Sequence, residues 1–256
     1  MATYKKRGHK PNNKKEEQQV QELDSTTAEV FNTLDETASK SEQWIEKNSK
    51  SLFTGLIVVV LIFLGFLAYN NFIVEPNEQE ASNELAFPRK YFDEAKGTTT
   101  GIDSLLHLGL EGADGNYGFL DISESFSGTK AGNLANYYAG VSYLQLKQYK
   151  KAIEYLSKFE SEDAMLAPVA LGAIGDAFAD IDQQKEALDY YEQAANKKAN
   201  SFTTPLYLYK AGLTALDLKK FNKAEKLFAR IKENYPKSDQ GKGIEKFINA
   251  AKYATR

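Results

Sequence analysis

Charged and apolar positions divide the chain into three regimes. Charges are frequent from Met1 to Lys50 and absent from Ser51 to Val74. From Glu75 onward apolar residues return every three or four positions, the period of a helix with one buried face. The middle regime, "SLFTGLIVVVLIFLGFLAYNNFIV", runs 24 residues without a charge. As a helix it measures roughly 36 Å, enough to cross a hydrocarbon core of about 30 Å with some tilt. A core helix of a soluble protein would keep a polar face over that length, so the pattern predicts a transmembrane helix over 51–74. A cleaved leader fits poorly, because fifty residues precede the run and no small-residue cleavage site follows it. Tyr69, near its end, suits an interfacial anchor.

Upstream, "STTAEVFNTLDETASKSEQWIEK" starts with capping residues and spaces Val30, Phe31, Leu34, Ala38, Trp44 and Ile45 at a weak helical period. An amphipathic helix over 26–50 is expected, lying on a membrane or a partner, with a basic disordered tail over 1–25. Trp44, the single tryptophan, falls about two turns before the apolar run. The stripe is too short and irregular for a coiled coil.

Downstream the pattern repeats. Gly140, Gly175 and Gly212 each precede an alanine by 12 residues, at Ala152, Ala187 and Ala224, and successive pairs stand 35 and 37 apart. Three copies of "YYAGVSYLQLKQYKKAIEYL" type predict three helical hairpins over 131–236, stacked as a solenoid. Glycine and alanine admit close approach of the paired helices. Tyr143, Phe178, Tyr149 and Phe221 are expected between them, and Tyr191 and Phe228 against the next repeat. "SDQGKGIEKFINAAKYATR" carries Ile244, Phe247, Ile248 and Ala251 on one face, which predicts a capping helix within 237–256. Gly241, in the stretch before that helix, is expected to tolerate a side chain.

These residues resemble the tetratricopeptide repeat, with glycine at its eighth position, alanine at its twentieth, an aromatic at its twenty-fourth and proline (Pro236) at its thirty-second. The fourth-position tryptophan is replaced by Asn136, Leu171 and Leu208, the first copy has Leu156 at the aromatic position, and the third has Ala215 where tyrosine is usual. The resemblance implies that the first helix of each hairpin lines a concave groove. The corresponding positions are Leu134, Tyr137, Val141 and Leu144; Val169, Gly172, Asp176 and Ala179; Leu206, Tyr209, Leu213 and Leu216. Tyr137, Val141, Leu144, Asp176, Tyr209 and Leu213 are the candidate partner-binding residues. Tyrosines and aliphatics favour an apolar helix or extended segment over a C-terminal carboxylate, which needs lysine and asparagine to pair it. Either a partner or the chain's own helices could fill the groove.

Between span and repeats, 75–130 is less regular. "ELAFPRKYFDEAK" predicts a helix interrupted near Pro88, and "DSLLHLGLEGADGNYGFLDISESF" two short helices joined by an Asp-Gly turn. Asp114, Asn116 and Asp121 suggest calcium, but Gly118 stands where a further ligand is needed, so a structural turn is the better reading.

Composition narrows the function. With no cysteine and two histidines, His9 and His107, thiol chemistry, thiolate metal sites and histidine triads are excluded as readings, and no cofactor, metal or catalytic residue is expected. The net charge of −3 conceals an asymmetry: residues 1–15 hold Lys5, Lys6, Arg7, Lys10, Lys14 and Lys15 without an acid, while Glu75, Glu78, Glu80 and Glu84 follow the span. The positive-inside rule then places the N-terminus in the cytoplasm and residues 75–256 across the membrane. Ribosomal RNA or anionic lipid could meet the basic tail, but no aromatic stands between its lysines to stack on bases, so nucleic-acid binding is disfavoured.

The chain is thus expected to be all-α, a single N-terminal transmembrane helix followed by a tetratricopeptide-repeat α-solenoid with a C-terminal capping helix. That order, together with "GADGNYGFLDISESFSGTKAGNLANYYAG" before the repeats, resembles the membrane-anchored tetratricopeptide proteins of Bacteroidetes-type bacteria, grouped with the ancillary subunit of the SecYEG translocon. The resemblance covers residues 25–256. It implies a non-enzymatic scaffold in the inner membrane, its C-terminal domain periplasmic. The implied partners are the translocon and a membrane-anchored chaperone of the peptidyl-prolyl-isomerase type. An adaptor of another envelope machine (outer-membrane assembly, secretion or division) has the same repeats and remains the alternative.

Overall fold

The computed structural model describes residues 14–254, with side chains at residue 39 and over 42–254. The chain divides into two compact units, one ending at Tyr69 and one beginning at Asn70.

The described residues of the first unit form one helix, α1 (Lys14–Tyr69). The change at Ser51 is therefore a change of composition within a continuous helix, not a joint, and the helix already includes residues 14–25. The remainder of the tail, and the side chains of Val30, Phe31, Leu34 and Ala38, lie outside the described residues. Leu52, Phe53, Leu56 and Phe63 are all exposed, as is Trp44. Among the described residues this is the one helix long and apolar enough to cross a membrane.

The second unit opens with a π-helical turn (Asn70–Val74) and continues through α2 (Glu75–Glu84), α3 (Ala86–Gly97), α4 (Ile102–Glu111) and α5 (Phe119–Ser125). The interruption expected near Pro88 falls at Leu85 instead. Pro88 sits in the first turn of α3, where its missing N–H has no helical partner to lose. Asp114 (φ 54°) and Gly115 (φ 80°) form the tip of a tight turn closed by the Asn116 N–H donating to the Ala113 carbonyl at 2.9 Å.

Three helical hairpins follow: α6 (Lys130–Gln145) with α7 (Tyr149–Lys158), α8 (Leu166–Asp180) with α9 (Gln184–Asn196), and α10 (Thr203–Asp217) with α11 (Phe221–Asn234). Each hairpin turns on a residue with positive φ: Lys147 (58°), Asp182 (60°) and Lys219 (57°). Each closes with a backbone bond reaching five residues back, as from Gln148 to Tyr143 at 2.8 Å. First helices start on side-chain caps. Thr129 Oγ1 accepts from the Gly132 N–H, Asp163 Oδ1 from Met165 and Leu166, and Asn200 Oδ1 from Phe202 and Thr203. At α6 the Glu78 carboxylate adds an acceptor for the Lys130 N–H at 2.9 Å, tying α2 to the first repeat.

The glycines of the repeat admit the paired helix, as expected. They make room chiefly for the side chain sixteen residues later in the same repeat. A Cβ on Gly175 would lie 2.7 Å from the Tyr191 ring, one on Gly212 2.3 Å from Phe228, and one on Gly140 2.5 Å from Leu156. Tyr191 and Phe228 thus pack first on their own hairpin and only then border the next.

Phe92, Phe119 and Tyr138 join the pre-repeat helices to α6, with Phe119 stacked on Tyr138 at 5.1 Å and Phe92 edge-on to it at 5.0 Å. At the other end α12 (Glu245–Ala254) buries Ile248 and Ala251, with Ile244 just before it, in the same core as Phe228 and Ile231. Residues 237–244 form turns and not helix, and Gly241 is no tolerant site: a Cβ there would lie 2.3 Å from the Tyr235 carbonyl oxygen.

Candidate partner-binding groove

α6 contacts α8, and α8 contacts α10, so the first helices form a continuous layer. On the face they share, Leu134, Tyr137, Val141 and Leu144 of α6, Val169, Asp176 and Ala179 of α8, and Leu206, Tyr209, Leu213 and Leu216 of α10 are all half-buried. Gly172 is not part of this surface. It is buried, and a Cβ there would strike the Tyr207 ring, which occupies the space over it.

The chain itself already engages several of the candidate residues. Tyr137 packs on Phe159 with ring centres 5.1 Å apart, and on Tyr138 at 5.7 Å. Burial raises its phenol above the ordinary tyrosine range. Tyr209 meets Phe247 of the capping helix edge-on at 5.1 Å. The cover therefore comes from the loop after α7 and from the C-terminal cap. Val141 and Leu144 also contribute to the core where the first two repeats meet, and Leu213 to the C-terminal core.

Asp176 is the centre of a cluster that sequence reasoning missed. Lys210, one repeat later, donates to its two carboxylate oxygens at 2.6 and 2.8 Å, and the Tyr191 hydroxyl donates to Oδ1 at 2.6 Å. The Lys210 ammonium also faces the Tyr191 ring at 5.6 Å and the Tyr207 ring at 6.0 Å. Burial, and then the neighbouring carboxylate, push the Tyr191 and Tyr207 phenols well above their ordinary range, so both stay protonated. The spacing of 34 residues, one repeat, was the available signal for the Asp176–Lys210 pair.

The face does contain a lysine, contrary to the reading of tyrosines and aliphatics alone, but its charge is neutralised. An incoming carboxylate would have to displace Asp176 to reach it. The arrangement offers apolar contact, tyrosine hydroxyls and one satisfied ion pair, which suits recognition of another chain and offers no nucleophile or acid–base pair.

A layer of half-buried apolar side chains on stacked helical hairpins defines an interaction scaffold. A family model described as tetratricopeptide repeat matches residues 134–163 and 207–238, the first and third hairpins. The chain carries tetratricopeptide repeats. Comparison with curated proteins finds no match.

Proposed function

We propose that the protein is a membrane-anchored scaffold of the protein-export machinery, held in a bacterial inner membrane by residues 51–74 with its repeats in the periplasm. The carrying observation is the half-buried, mostly apolar face shared by α6, α8 and α10, of a kind that suits another polypeptide. The exposed apolar stretch of α1 and the charge asymmetry around it support the anchor and its direction. The SecYEG translocon and a chaperone of the peptidyl-prolyl-isomerase type are the proposed partners, on the resemblance of the whole arrangement to the translocon's ancillary subunit.

Photo-crosslinking in native membranes tests the partner. A benzophenone side chain at Val169 or Ala179 should trap a translocon subunit or the chaperone, and one at the exposed Lys226 of α11 should not. Adducts only with subunits of another envelope machine would transfer the protein to that machine. Direction is tested separately, since the chain has no cysteine of its own. Single cysteines at Ser25 and Ser201 should label oppositely with an impermeant thiol reagent on spheroplasts, Ser201 being accessible. Labelling at Ser25 alone would reverse the topology.

A further inference from the structure

Between α7 and α9, over the face of α8 opposite Val169 and Asp176, lies an open cleft of about 900 Å³, and Phe159, which packs on Tyr137, forms part of its lining. Leu156, Ala170, Leu171 and Ile174 line its floor. The last three recur at helical spacing on one side of α8, and Val169 and Asp176 point from the other. The cleft has a local cause. α7 has 10 residues where α9 has 13 and α11 has 14. The residue filling the space over the repeat glycine is Leu156, where the other repeats place the rings of Tyr191 and Phe228.

The lips are acidic: Glu160, Glu162, Asp189 and Glu192 against Lys197. Two of these carboxylates are already engaged, Glu162 by Lys197 and Lys198 at 3.2 and 2.6 Å, and Glu192 by Lys223 at 2.7 Å. Glu160 and Asp189 have no ion pair among the described residues and are exposed. The backbone of Glu160 is fixed from both sides by Asn133, whose amide donates to its carbonyl at 2.7 Å and accepts from its N–H at 2.9 Å. The point from which its side chain leaves the backbone is therefore fixed.

We propose that this cleft is a second docking site, distinct from the groove, and that its occupant is a cationic amphipathic segment of another polypeptide. The apolar side chains of that segment enter between α7 and α9, and its lysines or arginines meet Glu160 and Asp189. Charge decides the occupant. An acidic segment meets the two unpaired carboxylates of Glu160 and Asp189, and a wholly apolar one strips water from them without replacing it.

The test uses the full chain in nanodiscs of zwitterionic phospholipid, with one cysteine at Ser161, beside the cleft, carrying an environment-sensitive fluorophore. The probes are two synthetic helical peptides of one pattern, leucine with lysine and leucine with glutamate, each corrected for binding to empty nanodiscs. The leucine–lysine peptide should give a saturable blue shift and the leucine–glutamate peptide none. Glu160→Lys with Asp189→Lys should weaken binding at least tenfold, and the milder Glu160→Gln with Asp189→Asn at least threefold. Melting curves would verify that the variants fold, and the milder pair stands in if the first does not. Asp217→Lys with Glu233→Lys, exposed acids elsewhere on the repeats, should leave binding unchanged. Equal shifts with both peptides, undiminished binding in the Glu160/Asp189 variants, or equal weakening by the distant pair would each overturn the proposal.

Discussion

The two junctions between repeats are built from the same pattern and filled differently. Between the second and third, Tyr191 lies on Gly175 and donates to Asp176, Lys210 closes the pair from the next hairpin, and the Tyr207 ring covers Gly172. Between the first and second, Leu156 occupies the position of Tyr191, α7 stops about a turn early, and the cleft opens. The core divides accordingly. One apolar cluster runs from the pre-repeat helices through the first hairpin, another from α9 to α12, and Leu156, Ala170, Ala173 and Ile174 form a small group between them. In a linear array stability is close to a sum over neighbouring units, so one filler position per repeat sets the strength of each joint. The joint filled by leucine is where this array is expected to open first.

The largest expected effect tests that ranking directly. Tyr191→Ala removes a ring that is only 5% exposed, together with a donor to Asp176, and should cost about 3–5 kcal/mol in urea unfolding. Leu156→Ala should cost about 2–3 kcal/mol, the low end for such truncations, because the cleft beside it lets neighbours and water take up the space. Equal losses would mean the two junctions are equivalent in energy despite their different filling.

Next in size is overpacking at the stronger joint. Gly175→Leu must push aside a ring held by its own hydroxyl bond, and should lower stability by about 1–3 kcal/mol. Gly97→Leu, at the end of α3 with nothing within 4 Å, is the reference and should stay within about 0.5 kcal/mol of the parent. A Gly175→Leu protein that melts with the parent would show that Tyr191 is mobile and the joint loosely closed.

The hairpins were legible because their signal is local and periodic: glycine and alanine recur wherever helices meet, and three copies reinforce one another. The join between α2 and α3 was misplaced, since proline reads as a break but is at home in a first turn, and the break at Leu85 has no marked residue. The candidate groove was legible in part. Helical spacing put Val141, Leu144, Tyr209 and Leu213 on the shared face, but it could not show that Tyr207 covers Gly172 or that Phe159 and Phe247 reach Tyr137 and Tyr209. Those contacts depend on the rotation of one hairpin against the next, which no single repeat encodes. The Asp176–Lys210 pair was missed for the same reason, because its two halves look like solvated charges until the repeats are stacked.

The smallest effect isolates the hydroxyl from the ring. Tyr191→Phe keeps the packing on Gly175 and removes only the donor to Asp176, whose carboxylate retains Lys210. At neutral pH the loss should be about 0.5–1.5 kcal/mol, the usual net worth of one hydrogen bond. Its dependence on pH carries the sharper information. Burial, with Asp176 beside it, raises the Tyr191 phenol above its unfolded value of about 10, so folding favours the protonated form. That contribution is fully present below about pH 10 and declines as the pH rises further, because the unfolded chain then releases a proton that the folded chain keeps. The phenylalanine variant has no such proton to keep. The gap between parent and variant should therefore be constant from pH 7 to 9 and narrow above pH 10, while the losses from Tyr137 and Tyr207 affect both proteins alike. A gap that stays constant through the alkaline range would show that the Tyr191 hydroxyl is in water, and that the second junction, like the first, is held by apolar filling alone.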